Sequence, residues 1–107
     1  AARERASDPP RARALFARGC DAYQRASCLP LADMYLHGEG GPWDDEAASK
    51  AYTQACYASD AESCRRAADL LSRGAIDHDD REFRLLDRGC TLGDVPSCDR
   101  LSPKPTP

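Results

Sequence analysis

Apolar positions recur at 15, 16, 19 and 20, and again at 28, 31, 32 and 35. Both sets keep the i, i+3/i+4 rhythm that lines up residues on one face of an α-helix. The rhythm returns farther along the chain. Leu15 to Cys20 aligns with Ala51 to Cys56 and with Leu85 to Cys90, while Leu31-Ala32, Met34-Tyr35 and Gly38 align with Ala67-Ala68, Leu70-Leu71 and Gly74. A period of 34 to 36 residues marks a repeat array. Each unit predicts two helices, A and B, joined by a short turn.

Start and stop signals fall where this reading needs them. Asp8-Pro9-Pro10 reads as an N-cap followed by proline in the first turn of helix A of the first repeat. Ser59-x-x-Glu62 reads as a capping box for the second B helix, and Asp94-Val95-Pro96 opens the third. Gly38 and Gly74 suit left-handed residues closing the first two B helices. The acidic clusters Asp44-Asp45-Glu46 and Asp77-Asp79-Asp80 suit the start of each following A helix. The segment Asp21 to Ser27 is the weakest turn, because it holds neither Gly nor Pro. The last B helix has room only from about Pro96 to Leu101 before an alternating-proline tail, which favours extended backbone. The expected layout is an N-terminal arm and helix start at 1–10, a repeat domain at 11–101 (repeats 11–45, 46–80 and 81–101), and a tail at 102–107.

Composition supports the helices. Of 44 hydrophobic residues, 18 are Ala and 6 are Cys, and the other 20 include one Val (Val95) and one Ile (Ile76). A sheet built with so few β-branched aliphatics would lack the side chains that favour pleated surfaces. The fold class expected is therefore all-α, an α/α solenoid of about two and a half helix–turn–helix repeats. A mean hydropathy of −0.67 and the lack of a long apolar run exclude a transmembrane helix. The net charge of −3 argues against a nucleic-acid partner, which would demand a concentrated basic face. Residues 1–10 are charged, small and proline-ended, unlike a secretory leader; a leader removed before residue 1 is equally compatible.

The six cysteines carry the most information. Cys20, Cys28, Cys56, Cys64, Cys90 and Cys98 form three pairs, each eight positions apart, with Ser immediately before every second member. Eight positions on one continuous helix span about 12 Å, whereas a disulfide needs Cα atoms within about 7 Å. Bridges inside each pair therefore require the chain to reverse between the two cysteines, as the two-helix unit independently predicts. Six cysteines allow 15 pairings, from which the repeat symmetry singles out 20–28, 56–64 and 90–98. Each bridge would contribute about 2–3 kcal/mol by chain-entropy reasoning, and bridges would place the protein in an oxidising compartment. Free buried thiols and a metal site remain as alternatives. The spacing does not match zinc-ligand pairs, no C-x-x-C redox motif is present, and no cofactor is expected.

The pattern of an Ala/Leu-rich helix, Cys, seven residues, Cys, and then Leu31-Ala32-Asp33-Met34-Tyr35-Leu36-His37-Gly38-Glu39-Gly40 resembles the Sel-one-like repeat. Asp44 falls where that family places its inter-repeat aspartate. The paired cysteines resemble its disulfide-stapled branch, typified by the cysteine-rich proteins of Helicobacter. The likeness covers about residues 11 to 101. The chain departs from the pattern at Gly41, in a second repeat two residues shorter near Gly74, and in the abbreviated third repeat. The resemblance implies an extracytoplasmic interaction module, a scaffold or adaptor with a protein or peptide partner, periplasmic, at the cell surface or secreted, or a subunit of a larger envelope or secreted assembly. Some cysteine-rich members are described as penicillin-binding or weakly β-lactamase-like, which is the enzymatic alternative. The S-x-x-K and G-x-S-x-G patterns of serine hydrolases are absent here. His37-x-Glu39 lacks the P-C-x-x-C that completes a deaminase zinc motif.

On the A helices, the side opposite the apolar stripe aligns Arg18, Gln54 and Arg88 in one row, and Ala14, Lys50 and Arg84 in another. A mildly basic strip of this kind favours an acidic or carboxylate-bearing partner, and a plain solvated face is the alternative. Trp43, beside Pro42 in an inter-repeat loop, is either an exposed anchor or packs back on a neighbouring helix.

Overall fold

The computed structural model describes residues 8–72 and 81–101, and they form helices joined by short connections. In chain order these are α1 (Pro9–Asp21), α2 (Arg25–His37), α3 (Asp45–Tyr57), α4 (Ala61–Ser72), α5 (Arg81–Thr91) and α6 (Val95–Leu101). Each helix packs against the next. The A helices α1, α3 and α5 also touch in succession, as do the B helices α4 and α6. The chain is an α/α array of two full helix pairs and a third with a shortened B helix. Expectations for the arm at 1–7, for Gly74 and the acidic cluster 77–80, and for the tail at 102–107 lie outside the described residues.

Every A helix ends in the same way. Tyr23, Ser59 and Gly93, at the same position of the three repeats, adopt left-handed backbone with φ of 58°, 74° and 105°. Their N–H groups donate to the carbonyls of Cys20, Cys56 and Cys90 at 2.8–3.0 Å. The next N–H groups, of Gln24, Asp60 and Asp94, reach back to Gly19, Ala55 and Gly89 at 2.8–3.1 Å. This bond pair is the Schellman termination, which satisfies the last helix carbonyls and reverses the chain within a few residues. The reversal brings each cysteine pair together, with Cα–Cα distances of 4.5, 4.6 and 4.6 Å for the disulfides Cys20–Cys28, Cys56–Cys64 and Cys90–Cys98.

The B helices begin where these turns finish. Asp60 accepts hydrogen bonds from both the backbone N–H (3.1 Å) and the hydroxyl of Ser63, and Asp94 accepts the same pair from Ser97 at 3.2 and 2.6 Å. In the second and third repeats, the serine before the second cysteine is thus part of the cap. This corrects the capping box expected at Ser59-x-x-Glu62. Ser59 is the left-handed residue that ends α3, which leaves Asp60 to cap α4. In the first repeat Gln24 stands at that position and makes no side-chain cap. The A-helix caps follow expectation, with Asp8 accepting from Arg11 N–H at 3.3 Å and Asp44 from Ala47 N–H at 3.0 Å. Gly38 closes α2 in left-handed backbone, at φ 67°.

The core is built from small residues. Ala32, Ala48, Ala51, Ala55, Ala67 and Ala68 are buried with Cys20, Cys28, Cys56 and Cys64, and the larger Leu31, Tyr52, Leu70, Leu71, Leu85 and Leu86 join them. Alanine at the contact lets helix axes approach closely. Glycine carries this further, because a Cβ on Gly89 would lie 2.6 Å from Ser97 Oγ and 3.1 Å from Cys64 Cβ. Leu15 does not join the stripe expected of it: it is 41% exposed, while its counterparts Ala51 and Leu85 are 1% and 4% exposed. In the second repeat this position faces the preceding helix pair, and among the described residues α1 has none before it. Met34 is buried in place of Tyr35, which is half-buried.

Candidate functional site

The surface between α3 and α5 holds a groove of about 560 Å³. Six residues of α3 line it: Glu46, Lys50, Thr53 and Tyr57, which spacings of 3 and 4 keep on one side of the helix, with Ala47 and Ser49 beside them. Helix α5 contributes Arg81 and Arg84, and Ala47, Leu71 and Leu85 give it an apolar floor. Asp44 and Glu46 add negative charge at the N-terminal end of α3. Three cations therefore meet two carboxylates around a partly apolar channel.

The two predicted rows separate. Lys50 and Arg84 line the groove together and both are exposed, while Ala14 is exposed on α1. In the other row only Arg18 is exposed. The Gln54 side-chain oxygen lies 3.2 Å from Cys20 Sγ, against the first bridge. Arg88 donates from Nε to the Cys56 carbonyl at 3.0 Å and from Nη2 to the Tyr57 carbonyl at 3.3 Å, with its guanidinium 5.2 Å from the Tyr57 ring centre. Each of these two side chains ties its repeat to the end of the preceding A helix. Trp43 is 68% exposed, and its indole N–H donates to Asp45 at 2.9 Å.

A smaller groove of about 330 Å³ lies between α2 and α4, edged by Asp33, Asp60, Glu62 and Arg66. Its charges serve one another: Asp60 caps α4, and Glu62 accepts from Arg66 Nε at 2.7 Å. Asp94 is similarly committed. Partial burial pushes its carboxyl upward, but hydrogen bonds from Ser97 and Arg65 and the charge of Arg65, 2.9 Å away, outweigh that and hold it below its usual value. His37 Nδ1 lies 2.9 Å from the Asp33 carbonyl, one helical turn earlier on α2. Among the described residues no group of three or more His, Cys, Asp and Glu side chains is placed to hold a metal ion.

Arg13 was not singled out by the sequence. Its Nε donates to the Glu39 carbonyl at 2.9 Å, and Nη2 lies 3.0–3.2 Å from the carbonyls of Met34, Gly41 and Pro42. Its guanidinium sits 4.3 Å from the Tyr35 ring centre. One side chain thus gathers the loop between the first two repeats. A usable signal was the run Gly38 to Gly41, whose carbonyls no regular element satisfies. Compared with known proteins, the chain matches no family model and no curated sequence.

Proposed function

We propose that the chain is a protein–protein interaction module, a scaffold or adaptor of the Sel-one-like type, and that the α3–α5 groove receives an acidic segment of its partner. The observation that carries this reading is the pairing of Lys50 and Arg84 across an open channel with an apolar floor. Such a channel suits a peptide that alternates carboxylates with small apolar side chains. Three disulfides support an oxidising compartment, the periplasm, cell surface or exterior. No helix among the described residues is long and apolar enough to cross a membrane. The role requires no chemistry of its own.

The test is a selection of displayed 12-residue peptides on the immobilised protein, followed by fluorescence anisotropy of the enriched sequences. Enrichment of acidic peptides is expected, with affinity reduced at least tenfold in Lys50→Glu/Arg84→Glu and weakened by added salt, while the melting temperature is unchanged. Basic or uncharged winners, binding that the double variant retains, or no enrichment would each count against the groove.

A further inference from the structure

The three disulfides occupy equivalent places but unequal surroundings. Cys20, Cys28, Cys56 and Cys64 have no solvent exposure. Cys90 and Cys98 are partly exposed. The next A helix makes the difference. Helix α3 lays the Ala51 carbonyl and the Gln54 side chain against Cys20, at 3.9 and 3.2 Å from its Sγ. Helix α5 sets Gly89 so close to Cys64 that a Cβ there would be 3.1 Å away. No helix of the described residues covers the third bridge in this way. The segment it secures is also short. Helix α6 has seven residues, too few to hold helical structure unaided. Apart from the bridge, side-chain pairs fasten its ends: Asp94 to Arg65, and Arg100 to Asp69 and Glu82.

We propose that Cys90–Cys98 is a thiol–disulfide exchange site for a dithiol reductant, and that the first two bridges are inert to it in the folded protein. A thiolate of the dithiol attacks one sulfur of the bridge, the S–S bond breaks, and the other cysteine leaves as a thiolate and takes up a proton. The second thiol of the reductant then loses its proton and displaces the attached protein cysteine. The reductant closes its own disulfide, and Cys90 and Cys98 end as thiols. Two electrons pass from the dithiol to the protein, and two protons accompany them. Exchange requires the attacking sulfur to reach the bridge, which the exposed pair permits and the covered pairs do not. The consequence is a loosened α6, left with the buried Ser97 against Gly89, Leu101 against the core, and partly exposed ion pairs to α4 and α5, which are weak individually.

The folded chain of residues 1–107 is to be treated with limiting dithiothreitol, quenched at intervals, alkylated and mapped by peptide mass. Cys90 and Cys98 are expected to be labelled at least tenfold faster than the other four. Hydrogen exchange should then rise in α6 while α1 to α4 keep their protection. Equal rates for all three pairs, or prior labelling of another pair, overturns the proposal. A second probe is a thioredoxin-type dithiol protein with its resolving cysteine replaced by serine, which should be trapped as a mixed disulfide on Cys90 or Cys98. An adduct on another cysteine, or no adduct, also overturns it.

Discussion

Replacing Arg13 tests how much of the array depends on one inter-repeat clamp. Its five contacts are unequal. The Nε bond to Glu39 is short, whereas Nη2 is shared among three carbonyls at 3.0–3.2 Å. Hydrogen bonds from a charged donor are worth about 1.5–3 kcal/mol. Counting two effective bonds at the lower end gives about 3 kcal/mol, and the contact with Tyr35 adds about 0.5–1 kcal/mol. Ordering the long side chain costs about 2 kcal/mol. The Met34 carbonyl is not left bare when the guanidinium goes, because it also accepts from the Gly38 and Glu39 N–H groups. Arg13→Ala is therefore expected to cost about 2 kcal/mol, a fall in melting temperature of roughly 8–16 °C for a domain of this size. Arg13→Lys should recover little of it, because a single ammonium cannot span Glu39 on one side and Pro42 on the other. Thermal unfolding followed by far-ultraviolet circular dichroism measures the loss. Hydrogen exchange should place it at Gly38 to Asp44. The fluorescence of Trp43, the sole tryptophan and a neighbour of Pro42, reports on the same loop. A lysine variant as stable as the wild type would refute the argument from fork geometry, and a fall of under 2 °C for the alanine variant would refute the clamp itself.

Other substitutions test other parts of the array. Gly89→Ala is expected to destabilise by about 1–2 kcal/mol in urea unfolding, because overpacking against Ser97 and Cys64 outweighs a helix-propensity gain of about 1 kcal/mol; a more stable variant would mean the contact relaxes freely. Leu15→Ser should change stability by less than about 0.5 kcal/mol, whereas Leu85→Ala should cost about 2–5 kcal/mol, so equal effects in thermal melts would show that the two positions are alike in solution. Asp94 has a folded-state pKa below its unfolded value, so its contribution is present above about pH 4 and is lost as pH falls through the lower folded value. Asp94→Asn should remove that part of the acid dependence while its amide oxygen still caps α6; an unchanged profile between pH 5 and pH 2 would show that the carboxylate is not coupled to folding.

The fold was legible because its signals are short-range and repeated. The cysteine spacing, the caps at Asp8 and Asp44 and the stop at Gly38 each specify a local conformation, and the period multiplies them. The left-handed turns were harder to see, since only Gly93 announces one. Tyr23 and Ser59 hold the same conformation with side chains that usually avoid it, fixed there by the two Schellman bonds and the adjoining bridge. Periodicity also could not distinguish Leu15 from Leu85, because a stripe shows which face is apolar and says nothing about whether a neighbour covers it. At the candidate groove, alignment correctly put Lys50 and Arg84 on one side. It gave Gln54 and Arg88 the same standing, although both side chains reach back to the preceding repeat. How far a side chain extends, and which carbonyl it finds, depends on the packing of one repeat on the next.

All three disulfides close within their own repeat. No disulfide ties one repeat to the next, so the chain resembles a row of knotted beads joined by an unknotted thread. Eight residues of extended backbone span about 28 Å, against a Cα–Cα separation of 4.5–4.6 Å across each bridge. Pulled from its two ends, the oxidised protein keeps back about 23 Å of slack at every bridge and can still peel open one repeat at a time. A reductant would release that slack in equal steps, and with the outer bridge yielding first, the first added length would come from the C-terminal side.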